Sequence, residues 1–318
     1  MSMLSAKSLT TVIPCFNAES TLARAIESVL AQEQIIASQI FVIDDCSTDR
    51  SMLIAREYKV EILQTKTNLG SGGAKNFGFS KVTTPFVIFL DADDYWKVDF
   101  IEIQTAKWKT ADKNTAAISL SMDIEGSIGT KSFIRHSIRN NVNKSNIQIA
   151  DLLDRNPMSS SVTVFRTEAL KSIGGYCDNS PVDDFETIAD LVLHGYELKT
   201  YIDIGGVYTL SEGQVTANPQ VQYAGQCRVF EKYLKNNVIS TLEFNQTVSR
   251  HWLKSLARCA QYKLPREKIP KPYVSLPFPM AFYKILDVPL IWGTVGFMWR
   301  AYVSVSLKGM SLPWKRKT

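Results

Sequence analysis

Three carboxylates, Asp91, Asp93 and Asp94, stand within four residues, directly behind the apolar run Phe86-Val87-Ile88-Phe89-Leu90. Carboxylates are hard oxygen ligands, suited to Mg2+ or Mn2+ carrying a phosphate group. The run before them is β-branched and aromatic, which suits a strand buried on both faces of a parallel sheet. Unpaired carboxylates cannot follow such a strand into the core, so all three are expected to emerge at its carboxyl end, where open α/β sheets place ligands. The alternative is a solvated acidic turn capping the next helix. Two further acidic pairs accompany this one. Asp44-Asp45 closes the apolar run Ile40-Phe41-Val42-Ile43, and Asp183-Asp184 opens a helical pattern through Ile188, Leu191 and Val192. Asp at a helix start is also favoured by the helix dipole alone.

The elements around these residues alternate. Thr10-Thr11-Val12-Ile13 reads as a strand stopped by Pro14, and Leu22, Ala25, Ile26, Val29 and Leu30 form one apolar helical face. The strand ending at Asp44-Asp45 comes next. Ser47-Thr48-Asp49 then caps a helix through Leu53, Ile54 and Tyr58, and a short strand runs from Val60 to Leu63. Asn68-Leu69-Gly70-Ser71-Gly72-Gly73 reads as a flexible turn before a helix starting near Ala74. The order βαβαβαβ implies a doubly wound, mostly parallel sheet, Rossmann-like, with right-handed crossovers. Three strand ends, two acidic and one reading Pro14-Cys15-Phe16-Asn17, then share one edge. Farther on, Ile118 to Ile124 alternates like a strand, residues 127–146 read as a polar loop or insert, and residues 219–264 read as helical.

The totals set limits. With 318 residues, 45% hydrophobic and 21% charged, the chain is an ordinary globular protein of one large domain with an appendage, or two domains. Five cysteines without a CxxC spacing point to free thiols in a reducing cytosol. Residues 1–11 lack the apolar core of a signal peptide. The net charge of +5 hides an asymmetry: residues 1–227 carry 20 Lys and Arg against 27 Asp and Glu, and residues 228–318 carry 16 against 4. The basic part contains the charge-free run 288–299, flanked by Trp and followed by Lys315-Arg316-Lys317. Twelve residues are too few to span a bilayer, so the expectation is peripheral contact with an anionic membrane surface, or a core-docked helix. No nucleic-acid module is present, so nucleic acid is not expected as a partner. His136, His194 and His251 lack ligand spacing.

Taken in order, these motifs resemble glycosyltransferase family 2, whose fold is GT-A. The resemblance rests on Val12-Ile13-Pro14-Cys15-Phe16-Asn17-Ala18-Glu19, on Ala25 to Gln32, on Val42-Ile43-Asp44-Asp45-Cys46-Ser47-Thr48-Asp49, on Asn68-Leu69-Gly70 with Ala74-Lys75-Asn76, and on Leu90-Asp91-Ala92-Asp93-Asp94. It is close over residues 8–96 and thins to about 216. It implies a GT-A domain over 1–218, with a nucleotide-sugar half to about 96 and an acceptor half beyond it, followed by a basic helical extension over 219–318. It further implies an inverting, metal-dependent transferase. The donor would be a nucleotide diphosphate sugar, UDP-linked by expectation, and the acceptor a saccharide or lipid-linked saccharide. The setting would be bacterial cell-surface polysaccharide assembly, in the cytoplasm or on the cytoplasmic face of the inner membrane.

By the same resemblance, Pro14, Phe16, Asn17 and Glu19 would line the nucleotide pocket and Asp45 would accept the base's imide N–H. Asn68, Gly70 and Ala92 would complete that pocket. Lys75, where the family usually has Arg, would contact phosphate or base. Asp91 would meet the ribose and Asp93 the Mn2+ or Mg2+ ion. Asp184 would be the general base, with Asp183 as the second choice. One departure stands out: Tyr208-Thr209-Leu210-Ser211 occupies the place of the family's Tyr-Arg-x-His. That keeps a non-catalytic nucleotide-sugar binder open as an alternative. A nucleotidyltransferase on a related sheet is a further one, echoed only by Ser71-Gly72-Gly73-Ala74-Lys75.

Overall fold

The computed structural model describes residues 4–33, 39–128, 131–135, 143–178, 180–210 and 219–261. The chain divides into two compact units, Met1–Lys232 and Tyr233–Thr318.

The first unit is built on one sheet. Strands β1 (Leu9–Cys15), β2 (Ile40–Asp44), β3 (Glu61–Gln64) and β4 (Phe86–Phe89) are separated by helices α1 (Leu22–Leu30), α2 (Ser51–Ala55) and α3 (Gly70–Phe79). All pairings among these four strands are parallel, in the order β3-β2-β1-β4. Their carboxyl ends therefore share one edge. Beyond β4 the sheet is mixed. It continues through β8 (Thr163–Arg166), β6 (Thr115–Ile128), β9 (Glu197–Leu210) and β5 (Tyr95–Trp96), with β7 (Lys131–Arg135) paired to β6. β8 runs antiparallel to β4 and β6, whereas β9 runs parallel to β6.

Side-chain alternation decides which helices cover which face. Leu9, Ile13, Ile40, Val42, Phe86 and Ile88 join one core with Leu22, Ile26 and Val29 of α1 and with Phe100 and Trp108 of α4 (Phe100–Trp108). On the opposite face Phe89 packs against Phe79 of α3, Phe165 of β8 and Tyr176. Helices on both faces of the sheet are the doubly wound arrangement the sequence order implies.

Three local expectations need correction. Pro14 does not stop β1; the strand runs on to Cys15. The pairing with β4 ends at Val12–Phe89, so Pro14 keeps only β2 as neighbour and its missing N–H costs no ladder bond. Second, α3 begins at Gly70, not near Ala74, so the glycine-rich stretch is its first turn. Gly72 lies there because the backbone passes close: a Cβ would stand 2.1 Å from the Cys177 carbonyl oxygen. Gly72→Ala should therefore destabilise the fold by about 1–3 kcal/mol, as overpacking does. The check is a lower denaturation midpoint at unchanged m-value. Third, part of the stretch expected as loop, β7, is paired to β6.

Further helices of this unit are α5 (Ile149–Leu152), α6 (Thr167–Ser172) and α7 (Asp183–Leu193). Phe230 of α8 (Pro219–Lys235) meets Phe185 of α7 edge-on, and Lys232 pairs with Asp190. In the second unit, α9 (Thr241–Gln261) starts with a reciprocal cap: Ser240 N donates to Glu243 Oε2 and Glu243 N to Ser240 Oγ. No helix of the described residues is long and apolar enough to cross a membrane. The run 288–299 and Lys315-Arg316-Lys317 lie outside the described residues.

Candidate active site

The shared carboxyl edge carries the loops after all four parallel strands. Two of them brace each other. The loop after β1 and the loop after β2 exchange five hydrogen bonds: Asn17 N to Ser47 Oγ, Thr48 N and Thr48 Oγ1 to Asn17 Oδ1, Glu19 N to Asp49 Oδ2, and Arg50 N to Glu19 Oε2. Asn17 and Cys46 both hold positive φ, at 50° and 66°. Non-glycine residues pay for that backbone, and such strain collects at functional sites. Phe16, next to Asn17 of this brace, is 52% exposed. Pro14, two residues earlier, is half-buried.

Asp45 is the positioning carboxylate of the edge. It is 2% exposed and accepts from Thr65 Oγ1 at 2.8 Å, from Leu69 N at 2.8 and 3.0 Å, and from Gly70 N at 2.8 Å. Those two amides are among the orphan donors of helix α3, so Asp45 neutralises a helix N-terminus from another strand. This is why the glycine-rich stretch folds as helix. Asn68 completes the turn by donating to the Asp45 carbonyl. Asp45→Asn keeps the shape but removes one acceptor and the charge. It should cost about 1.5–3 kcal/mol, the usual worth of hydrogen bonds to a charged group. A melting point lowered by several degrees, with faster amide exchange at Leu69 and Gly70, checks it.

The loop after β4 holds the acidic triplet, whose members separate. Asp91 and Asp93 are half-buried at the edge. Asp94 does not emerge, contrary to expectation. It is 1% exposed, accepting from Ser161 Oγ at 2.6 Å and from Thr209 N at 3.0 Å. Burial, and then the negative charges of Asp93 and Asp91, hold its carboxyl well above the usual range. A carboxyl that finds hydrogen-bond partners can be buried, and this one ties the acidic loop to β9. Ala92 is 8% exposed and packs into the core, so it offers the edge only its backbone.

Lys75 of α3 reaches carboxylates. Its ammonium lies 3.0 Å from Asp183 Oδ2 and 3.3 Å from Asp91 Oδ1, over the ring of Tyr176 at 4.8 Å. Burial alone would lower its pKa, but the charges of Asp183 and Asp91 outweigh that and hold it well above the ordinary lysine range. Asp183, the first residue of α7, also accepts from Ser71 Oγ at 3.0 Å. Asp184 follows, half-buried, with Oδ1 accepting the Phe185 N–H.

A second cation also reaches the acidic loop. Arg24 of α1 donates to Glu125 Oε1 at 2.8 Å, to Thr209 Oγ1 at 2.9 Å and to the Asp93 carbonyl at 3.3 Å, and stacks on Tyr95 at 4.3 Å. Sequence reasoning missed it, because Arg24 sits on a helix whose apolar face drew the attention. Thr209 is thus joined to both Arg24 and Asp94, and Ser211 lies outside the described residues.

Among the described residues, no group of three or more His, Cys, Asp or Glu side chains is arranged to cage a metal ion. The donor set still fits a divalent ion of the kind that binds one or two carboxylates and takes its other ligands from water and substrate phosphate. Asp91 and Asp93, two residues apart and half-buried at the edge, offer such a pair of carboxylates. A cleft of about 480 Å3, lined by Thr84, Pro85, Lys113, Arg166 and Lys171, opens at the amino end of β4, on the sheet edge away from this chemistry.

Comparison with known proteins gives a consistent picture. The sequence model described as Glycosyl transferase family 2 matches residues 10–174, more than half of the 318-residue chain. Succinoglycan biosynthesis protein ExoO of Rhizobium meliloti is 36% identical over 94 residues, which are 29% of this chain and 27% of ExoO. The Escherichia coli UDP-Glc:alpha-D-GlcNAc-diphosphoundecaprenol beta-1,3-glucosyltransferase WfgD is 32% identical over 97 residues, 29% of this chain and 38% of WfgD. The match thus spans well under half the length of these relatives. Residues 1–349 of S. aureus TarS, solved with UDP-GlcNAc, share the fold with a TM-score of 0.59 at 18% identity, over 80% of this chain and 73% of that one.

Proposed function

The chain belongs to glycosyltransferase family 2, and from that premise we propose that it transfers a sugar from a nucleotide diphosphate sugar to an acceptor hydroxyl, with inversion. One observation carries the reading: a single buried ammonium joins Asp91, from the acidic loop, to Asp183, the neighbour of Asp184. This contact supports a reading in which a donor-binding carboxylate and a proton-accepting one act side by side at the carboxyl edge of the sheet.

In this reading Phe16 and Pro14 receive the base of the nucleotide. Asn17, Glu19, Asn68 and Gly70 shape the pocket wall through the bonds described above. Asp45, enclosed by Thr65, Leu69 and Gly70, acts by keeping the α3 turn in place beside the base rather than by accepting the imide N–H itself. Asp91 orients the ribose, and Asp93 would hold Mn2+ or Mg2+. When bound, that ion supplies charge neutralisation to the diphosphate leaving group. Asp184 accepts the proton of the acceptor hydroxyl while its oxygen attacks the anomeric carbon. The bond to diphosphate breaks on the opposite face, so the configuration inverts and no covalent enzyme intermediate is needed.

A UDP-linked donor and a lipid-linked saccharide acceptor are supported by the names of WfgD and of the TarS complex. They fit polysaccharide or glycolipid assembly at the cytoplasmic face of a bacterial membrane. The test is release of nucleoside diphosphate from a panel of UDP-, GDP- and dTDP-sugars with Mn2+ and diphosphoundecaprenol-linked saccharides. The anomeric configuration of the product is read by NMR. A product with retained configuration would sink the proposed mechanism.

A further inference from the structure

Lys75 lies 2% exposed in a helix whose other buried residues are Gly72, Ala74, Gly78 and Phe79. Lysine almost never accepts such a site without a partner. Here it has two, and they belong to segments 92 positions apart: Asp91 behind β4 and Asp183 at the start of α7. The ring of Tyr176 covers the ammonium, and Ser71, one turn earlier on α3, donates to the Asp183 oxygen that Lys75 also holds. That oxygen therefore takes two donors, one of them charged. Of the adjacent aspartates, Asp183 is committed to this tie, while Asp184 sits one residue on, more exposed and within the electrostatic reach of Lys75.

We propose that Lys75 is a positioning residue: its ammonium pins the first turn of α7 to the acidic loop, and so fixes where the Asp184 carboxylate stands relative to the bound donor. This rests on the glycosyl-transfer reading for what Asp184 does, but the tie itself does not. The ammonium is shared between two carboxylates and enclosed by an aromatic ring, so its task is internal and it is not spent on the donor phosphates. Misplacing a reacting group by about 1 Å can cost about 10²-fold in rate.

The experiment compares wild type, Lys75→Met and Asp183→Asn in the full chain, with two independent readouts. The first is amide hydrogen exchange, which needs no turnover. Lys75→Met should speed exchange at residues 183–187 by about tenfold or more while leaving the α1 amides unchanged, as local opening of one segment does. The second is kinetic. Lys75→Met should lower kcat by about 10²-fold with a smaller change in nucleotide Kd. Its pH–rate profile should also move its acid limb upward, because a cation facing Asp184, beside Asp183, Asp91 and Tyr176, is gone. Asp183→Asn, which can still accept from Lys75 and Ser71 but gives up the charge that answers the ammonium, should lower kcat in the same direction as Lys75→Met and by less than Asp184→Asn does. Unchanged exchange at 183–187 overturns the tie. Intact kcat with a weakened nucleotide Kd overturns it in favour of a direct donor contact. Asp183→Asn as inactive as Asp184→Asn overturns the division of labour, and this variant decides the matter if Lys75→Met does not fold. A wild-type chain inactive with every donor would instead count against glycosyl transfer, and exchange would still judge the tie.

Discussion

Asp184→Asn is expected to lower transfer by about 10²–10⁴-fold, the usual worth of a positioned general base, while nucleotide-sugar binding stays near the wild-type value. The substitution keeps the size of the side chain, and its oxygen can still accept the Phe185 N–H that Oδ1 accepts now. What it removes is the ability to take a proton. The expected signature is therefore a fall in kcat without a matching rise in donor KM, since the donor side of the edge is built from other segments. Fold loss is separated from chemical loss by the melting temperature, which should shift little for a half-buried side chain at a helix start. A variant that transfers at near wild-type rate would move the base elsewhere, and Asp183 would be next to test.

The second large effect is expected from Asp93→Ala. Turnover should fall by about 10²–10³-fold, the scale seen when a preorganised electrostatic partner of a developing charge is removed. Unlike Asp184→Asn, this variant should lose Mn2+-dependent binding together with turnover. Its loop should persist, because the anchors are elsewhere: Asp94 to Ser161 and Thr209, Arg24 to the Asp93 backbone carbonyl, and Lys75 to Asp91. The two substitutions are thus expected to separate, one changing chemistry alone and the other binding and chemistry together.

Much of this was readable from residue order. The runs ending in Ile43 and Leu90 are apolar without a break, and a strand covered on both faces explains that, so β2, β4 and their shared edge followed. The start of α7 at Asp183 followed from the apolar spacing behind it. The interior of the site was harder. Asp94 looked like one of three surface carboxylates, because nothing in the local sequence announces Ser161 and Thr209, which lie 67 and 115 residues away. β9 escaped notice because its pairing with β6 is interrupted by register shifts and its middle reads Gly205-Gly206, so the two-residue alternation is blurred. Lys75 had a signal that went unused: it stands three residues after Gly72 and four before Phe79, on the buried face of α3. A charge on an apolar stripe asks for a partner of opposite sign, and the sequence alone does not say which of its acidic groups provides it.

The most direct measurement of the central claim is the heat of nucleotide-sugar binding to wild type and to Asp93→Ala, each with and without Mn2+. A ligand bound only by the native state also raises the melting point, which gives an independent readout on the same samples. The account predicts that at least one UDP-linked sugar binds wild type in a Mn2+-dependent way, and that the Mn2+-dependent part disappears in Asp93→Ala. Equal binding by the two proteins, or binding that ignores the metal, would contradict it.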